Sequence, residues 1–189
     1  MLCSLLAKYG STSNFEGTDK SSGHTYGPLY EEKFARLKHT ATRVLEIGVM
    51  SGASLMVWAE YFENAIVDGA DIDFSHIVFD KVRDHPRIRL HQVDCAAANA
   101  PQHLGGATYD LIIDDASHDP RHQLWTAHMF LPYVKSGGLY VVEDIHEVHA
   151  DVVRQGLDEL AQSNNATLEW HDRRELNGLD DEIVVIIRK

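Results

Sequence analysis

Acidic, hydroxyl and imidazole side chains follow a short apolar run near the middle of the chain. The run Leu111–Ile113 is unbroken and branched, which is typical of a strand buried on both faces of a parallel sheet. Asp114 and Asp115 follow it directly, and Ser117 and His118 come shortly afterwards. Because open α/β sheets bind ligands at the carboxyl edge of their strands, these side chains are candidates for ligand binding and proton transfer.

A second predicted strand ends in the same way. The run Leu139–Val142 leads into Glu143 and Asp144, and His146 lies two residues further on. Neighbouring parallel strands share one carboxyl edge, so both acidic strand ends are expected to face one crevice. The alternative is that Glu143 and Asp144 only cap the helix that follows.

Further strands and helices alternate along the chain, which predicts an α/β fold with a doubly wound, mostly parallel seven-stranded sheet in a single domain. The predicted strands are Arg43–Ile47, Ile66–Ile72, Ile88–Gln92, Leu111–Ile113, Leu139–Val142, Thr167–Trp170 and Ile183–Ile187. Helical spacing of apolar residues predicts helices over Tyr30–Leu37, Ser54–Trp58, Pro120–Val134 and Val152–Leu160.

Composition narrows the range of partners. The formal net charge of −12 argues against nucleic-acid binding, which depends on clustered Lys and Arg, and favours a neutral or cationic small molecule. Cys3 and Cys95 are too few for a disulfide framework, and neither is expected to be catalytic. Without an apolar run of roughly eighteen residues or a basic signal-peptide flank, the chain is expected to be cytoplasmic and to have no membrane partner.

The first predicted strand runs into a glycine-bearing loop. Gly48 and Gly52 allow a ligand to approach the backbone, and free N–H groups near Ser54 can attract a carboxylate or phosphate. A Gly-x-Gly-x-x-Gly sequence is absent, which argues against a dinucleotide-binding dehydrogenase. The loop also fits a simple strand-to-helix turn.

Acidic residues end the next two strands. Asp71 is placed to accept the hydroxyl hydrogens of a ribose. Asp94 either reaches the exocyclic amine of an adenine or is a solvated strand end.

Ahead of all the strands, the Ser11–His24 segment is polar and predicts an extended loop. Its Gly17–Ser22 string is either a loose lead-in, which its composition favours, or a flap over a ligand.

Taken in order, these motifs resemble the metal-dependent sugar O-methyltransferases of macrolide and tetracenomycin biosynthesis, a group that includes rhamnosyl O-methyltransferases. The resemblance lies in Val44–Gly48, Gly52–Leu55, Asp71–Asp73, Ile113–His118, Gly137–Asp144 and the lead-in Gly17–Ser21. It departs at Ala116, where the family has Gly, so a strained positive φ is expected there. No counterpart of the family's additional N-terminal domain is expected in this sequence, so either a partner subunit or Gly17–Tyr26 is expected to complete the pocket.

The resemblance implies S-adenosylmethionine as methyl donor and Mg²⁺ as metal, with the ion held by Asp115, Glu143 and Asp144. It also implies that His118 is the general base beside Asp115. Three carboxylates without a thiol suit a hard cation, whereas a zinc pair of His118 and His122 fits less well. The donor-binding residues that the resemblance implies are Glu46, Gly48, Gly52, Ser54, Asp71, Asp94 and Cys95.

The implied activity is methylation of a sugar hydroxyl, such as that of rhamnose in a glycan or glycoside. Residues 1–40 are expected to form a loop and helix flanking the active site, and 41–189 the methyltransferase domain. Two alternatives stay open: a catechol-type O-methyltransferase and a non-catalytic accessory subunit that binds S-adenosylmethionine. A homo-oligomer is compatible with the sugar O-methyltransferase and with both alternatives.

Overall fold

The described residues, 1–11 and 17–189, form a seven-stranded sheet with helices on both faces in this computed structural model. The strands are β1 (Arg43–Ile47), β2 (Ile66–Asp71), β3 (Ile88–Gln92), β4 (Tyr109–Asp114), β5 (Val134–Val142), β6 (Thr167–Asp172) and β7 (Ile183–Arg188). The helices are α1 (Leu2–Lys8), α2 (Tyr26–Phe34), α3 (Ala53–Tyr61), α4 (Asp80–Asp84), α5 (Ala100–His103), α6 (Pro120–Phe130), α7 (Ala150–Ser163) and α8 (Arg174–Asn177). Two 3-10 turns cover Leu131–Tyr133 and Glu147–His149.

The sheet has the order β3-β2-β1-β4-β5-β7-β6. Strands β1 to β5 pair in parallel, whereas β7 pairs antiparallel with both β5 and β6. The predicted doubly wound, mostly parallel sheet is therefore confirmed. The strand order reverses at β1, which lies between β2 and β4, so the crevice beyond β1 and β4 is the topological switch point where such sheets bind ligands.

Two apolar cores cover the two faces of the sheet. One joins α1, α2 and α3 to alternate strand residues such as Val44 and Leu111. The other joins α6 and α7 to the intervening residues, such as Leu45 and Ile112. Both faces of the central strands are buried, which explains why their sequences are continuous apolar runs rather than alternating ones.

The N-terminal segment differs from the expected loose lead-in. Helix α1 was not predicted, and α2 begins at Tyr26, four residues before the predicted start. Thr18, Lys20 and His24 are all buried. Polar composition was misleading here, because Lys20 and His24 are paired with acidic groups at the sheet edge rather than exposed to water. Residues 12–16 of the predicted loop lie outside the described residues.

Within residues 1–11 and 17–189, no helix is both long enough and apolar enough to cross a membrane.

Candidate active site

A cavity of about 740 Å³ opens at the carboxyl ends of β1, β2 and β4. Its lining includes most of the predicted site residues: Gly48, Ser54, Asp71, Asp94, Cys95, Asp115, His118 and Asp144. Three others, Glu46, Gly52 and Glu143, lie beside it without lining it. Gly17, Thr18 and Asp19 of the N-terminal segment also form part of the wall. Of the two roles considered for this segment, its position matches that of a flap.

The glycine loop that follows β1 packs against the loop that follows β4. Gly48 has a φ of +86°, and a Cβ added there would lie 2.1 Å from the carbonyl oxygen of Asp115. Gly52 has a φ of +83° and is the N-cap of α3. Only glycine therefore allows the loop after β1 to pack directly against the loop after β4.

Replacement of Gly48 by Ala is expected to lower the free energy of unfolding by at least about 2 kcal/mol, because left-handed strain adds to a backbone overlap. Urea denaturation measures the loss. Gly105→Ala is the matched control, since Gly105 has a φ of +74° but nothing lies within 4 Å of its added Cβ. Equal losses for the two variants would show that the contact with Asp115 contributes nothing.

Asp71 fixes the glycine loop from the end of β2. Its Oδ2 accepts hydrogen bonds from the backbone N–H of Val49 at 2.7 Å and of Met50 at 3.3 Å. Its Oδ1 accepts from the N–H of Asp73 at 3.1 Å. The carboxylate is thus held at the cavity wall, and its remaining lone pairs are available to a ligand.

Glu46 lies behind the cavity and is fully buried. Its Oε2 accepts a hydrogen bond from the hydroxyl of Ser54 at 2.6 Å, whereas its Oε1 has no hydrogen-bond partner. Burial raises the pKa of Glu46 to about 7, against the opposing effect of the nearby ammonium of Lys20. Glu46 does not line the cavity, but Ser54 does. The carboxylate of Glu46 can therefore act on a ligand in the cavity only through the hydroxyl of Ser54.

At the third strand end, Asp94 is exposed and accepts a hydrogen bond from the N–H of Ala96 at 2.9 Å. Cys95 is buried next to it. Burial, together with nearby carboxylates such as Asp114, raises the pKa of the Cys95 thiol to about 12. A raised pKa favours the protonated thiol, and the expectation that Cys95 is not catalytic stays a prediction.

Asp115, His118 and Asp144 converge at the mouth of the cavity. Each offers a ligand atom, and these atoms all lie within 4.8 Å of one another. The Nε2 of His118 lies 3.3 Å from Oδ1 of Asp115 and 3.7 Å from Oδ2 of Asp144. Two carboxylates and an imidazole without a thiol fit a hard divalent cation.

Glu143 lies deeper than these three residues. Its carboxylate accepts hydrogen bonds from the ammonium of Lys20 and from the hydroxyl of Tyr30. Burial outweighs the ammonium and raises the pKa of Glu143 well above its usual value. Its predicted role as a metal ligand stays a prediction, because its two oxygens already have partners within the protein.

Backbone strain marks the residues of this cluster. His118 and Asp144 both have a φ of +52°, an uncommon conformation for residues other than glycine. Ala116 is not among the positive-φ residues, so the strain expected there was wrong. In the loop after β4, the left-handed residue is His118 instead. The backbone strain therefore lies at the residue that was predicted to be the general base.

Electrostatics favour a protonated imidazole in this cluster. Burial lowers the pKa of His118, but the hydrogen bond to Asp115 and the charge of Asp144 outweigh it and raise the pKa to about 9. Burial raises the pKa of Asp144 to about 6, with Asp115 adding to the effect. A site with this many carboxylates therefore attracts positive charge.

His122 belongs to none of the candidate metal-binding groups found among the described residues. Its Nδ1 lies 2.8 Å from the hydroxyl of Ser117. This contact gives no support to a zinc pair with His118.

The N-terminal segment and α2 bring four further side chains to the acidic cluster of Glu46, Asp115, Glu143 and Asp144. Sequence reasoning assigned no site role to these four, namely Lys20, His24, Tyr26 and Tyr30. The hydroxyl of Tyr26 donates to Oδ1 of Asp144 at 2.5 Å. A signal was available in the sequence, because His24, Tyr26 and Tyr30 are aromatic residues within and just after a polar tract. Nothing in the local pattern indicated which strand ends they contact.

Comparison with known proteins shows the family of this chain. The model of the methyltransferase-domain family matches residues 45–145, more than half of the chain. Two curated relatives from Streptomyces olivaceus are 36% identical over 129 and 139 residues. They are 8-demethyl-8-(2-methoxy-alpha-L-rhamnosyl)-tetracenomycin-C 3'-O-methyltransferase and 8-demethyl-8-alpha-L-rhamnosyl tetracenomycin-C 2'-O-methyltransferase.

Those matches cover 65% and 68% of this chain, but only 32% and 35% of the relatives. The chain thus spans about a third of the length of these relatives. Among solved structures, MycE methyltransferase from the mycinamycin biosynthetic pathway, in complex with Mg and SAH, is 25% identical with a TM-score of 0.72. That match covers 100% of this chain and 53% of the other. From its sheet order, its glycine loop and the extent of the family match, the chain belongs to the methyltransferase-domain family.

Proposed function

We propose that the protein is an S-adenosylmethionine-dependent and Mg²⁺-dependent O-methyltransferase that acts on a sugar hydroxyl of a glycoside or glycan. The observation that carries the proposal is the position of Asp115, His118 and Asp144 at the mouth of the cavity that the glycine loop and Asp71 also line. The names of the relatives, which methylate rhamnosyl groups, support a deoxyhexose acceptor.

The donor would occupy the cavity along β1, β2 and β3. The loop from Gly48 and the hydroxyl of Ser54 would hold its methionine part, and Asp71 would accept its ribose hydroxyls. Asp94 and Cys95 would border the adenine. The formal net charge of −12 favours a cationic sulfonium over an anionic ligand. MycE, whose solved complex contains Mg and SAH, supports this choice of ligands.

The acceptor would lie beside Asp115 and Asp144, with Glu143 as the third carboxylate of the metal site. When bound there, a divalent cation would polarise the acceptor hydroxyl and lower its pKa. Asp115 would orient the hydroxyl through its position on the rigid end of β4. His118 would accept the hydroxyl proton at Nε2, the ring nitrogen that faces the carboxylates.

Charge balance supports a cation in this site. The carboxylates around His118 raise its pKa to about 9, which favours the protonated imidazole, whereas a base must be neutral to accept a proton. An additional positive charge between Asp115 and Asp144 would oppose that protonation. The carboxylates that would bind the cation are thus the same ones that raise the pKa of His118. Binding of the cation would therefore favour the neutral imidazole that a general base requires.

Replacement of Asp71 by Asn is expected to weaken donor binding by about 10- to 100-fold, since the amide replaces a charged acceptor of two hydroxyls. Calorimetry with S-adenosylhomocysteine measures the affinity. Asp73→Asn is the control, because Asp73 is an exposed acid that also lines the cavity but whose carboxylate pairs with its chain neighbours Ser75 and His76. Unchanged affinity in Asp71→Asn would contradict the placement of the ribose.

A parallel acceptor assay tests the proposed function against its two alternatives. The protein is incubated with donor, Mg²⁺ and either methyl-free rhamnosides or catechol, and products are analysed by mass spectrometry. Gain of one methyl group by a rhamnoside supports the proposal. Methylation of catechol alone favours the catechol-type enzyme, and donor binding without transfer to either acceptor favours the accessory subunit.

A further inference from the structure

Lys20 is the buried cation at the centre of the acidic cluster. Its side chain is 1% exposed, and its ammonium contacts Oδ2 of Asp115 at 2.5 Å and Oε2 of Glu143. Oε1 of Glu46 lies 3.6 Å from it. One side chain of the N-terminal segment therefore reaches the ends of β4 and β5 and the interior of β1.

Burial of a lysine is unfavourable unless its charge is paired and its hydrogen bonds are made. Here three carboxylates surround one ammonium, and they outweigh burial and raise the pKa of Lys20 well above its usual value. Conversely, Asp115 and Glu143 lie on adjacent strands and would repel each other without a cation between them. The ammonium and the carboxylates thus depend on each other for burial.

The ammonium also fixes the rotation of the two carboxylates that it contacts. Lys20 occupies Oδ2 of Asp115, which leaves Oδ1 directed towards His118 at 3.3 Å. Lys20 and the hydroxyl of Tyr30 hold the two oxygens of Glu143. The contacts with Lys20 and Tyr30 therefore fix the rotation of each carboxylate.

The backbone around Lys20 is held independently of the acidic cluster. The carbonyl of Lys20 accepts from the N–H of Tyr26 at 3.1 Å, and the N–H of Thr18 donates to Tyr9 at 2.9 Å. Further along, the buried carboxylate of Glu182 accepts from the N–H of Thr25 at 2.6 Å and lies 2.8 Å from Nδ1 of His24. These contacts fix where the lysine enters the site.

We propose that Lys20 is a positioning residue that fixes the rotation of Asp115 and Glu143, so that Oδ1 of Asp115 is directed towards the site of the divalent cation, an inference that rests on the proposed function. Lys20 does not touch the reacting atoms. It acts through the two carboxylates, and it makes the N-terminal segment an integral part of the active site.

The test compares Lys20→Met, which keeps the length of the side chain but removes its charge, with wild type. Mn²⁺, a hard cation that stands in for Mg²⁺, is followed by electron paramagnetic resonance. We expect the spectrum of bound Mn²⁺ to change and kcat to fall by about 100-fold, the scale of a small misplacement of reacting groups. The KM for the donor and the affinity for S-adenosylhomocysteine stay as in wild type.

Arg43→Met is the matched control, since Arg43 contacts the fully buried Asp68 at 2.6 Å far from the carboxyl edge of the sheet. It removes a comparable ion pair and should leave the Mn²⁺ spectrum and kcat unchanged. Lys20→Arg keeps the charge with a different shape. If Lys20→Met does not fold, Lys20→Arg provides the test, and it is expected to fold with an altered Mn²⁺ spectrum and a reduced kcat.

The outcomes separate this inference from the proposed function. If wild type binds Mn²⁺ and a folded Lys20 variant gives the same spectrum and kcat, the inference is overturned while the proposed function stands. If wild type binds no Mn²⁺ in the presence of donor, the proposed metal-dependent function fails and the inference fails with it.

Discussion

Asp115→Asn is expected to reduce methyl transfer by roughly 10³-fold, the scale on which single electrostatic groups act in active sites. Among the described residues, Asp115 is the one carboxylate that contacts both Lys20 and His118. Burial alone would raise its pKa, but the ammonium of Lys20 and the imidazole of His118 outweigh burial and keep it ionised. An amide would remove this charge and turn one acceptor into a donor. Transfer is measured as S-adenosylhomocysteine formed in the presence of acceptor.

Asp119→Asn is the matched control for Asp115→Asn. Asp119 lies four residues away as the N-cap of α6, where its side chain accepts from the N–H of Arg121. Asn caps helices about as well as Asp, so this variant removes one nearby charge without loss of structure. Equal loss of activity in both variants would show that net charge matters, rather than the position of Asp115.

The second large effect is expected for His118→Asn, with kcat reduced by about 10²–10⁴-fold, the usual contribution of a general base. Asn tolerates the left-handed conformation that His118 adopts at a φ of +52°, so the change removes the imidazole without adding backbone strain. Donor affinity should be unchanged, because the donor would lie along β1 to β3. Steady-state kinetics together with calorimetry separate kcat from donor binding.

His122→Asn is the control for His118→Asn. His122 also lines the cavity but contacts Ser117 rather than a carboxylate. It is expected to keep activity close to that of wild type. Full activity in His118→Asn, or a larger loss in His122→Asn, would remove His118 from the role of base.

Most of the sheet could be predicted from the sequence, because β4 and β5 contain continuous apolar runs that end in acids. The bounds of β1 and β3 were predicted to the residue, and β2 ended one residue early. Parallel pairing followed from the alternation of strands and helices. These signals are local in the sequence, so they can be recognised without knowledge of the tertiary structure.

The interior of the site could be predicted only in part. Asp115 and His118 lie three residues apart, so one loop brings them together. Lys20 contacts partners that are 95 and 123 residues away, and no local pattern encodes such a pairing. Its burial depends on carboxylates from two strands, which composition cannot reveal.

Ala116 shows where reasoning from a motif was misleading. A glycine in the family motif suggested that positive φ is needed at that position, yet here His118 and Asp144 adopt it. His and Asp are among the residue types that tolerate this conformation best after glycine. The left-handed residue of the loop after β4 is therefore His118 rather than Ala116.

The most direct test of the central claim is transfer of a methyl group to a methyl-free rhamnoside, followed by mass spectrometry with and without a chelator. The account predicts a gain of one methyl group with donor and Mg²⁺, loss of the product in excess chelator, and recovery when Mg²⁺ is restored. Undiminished transfer in excess chelator would contradict the role assigned to Asp115, Glu143 and Asp144.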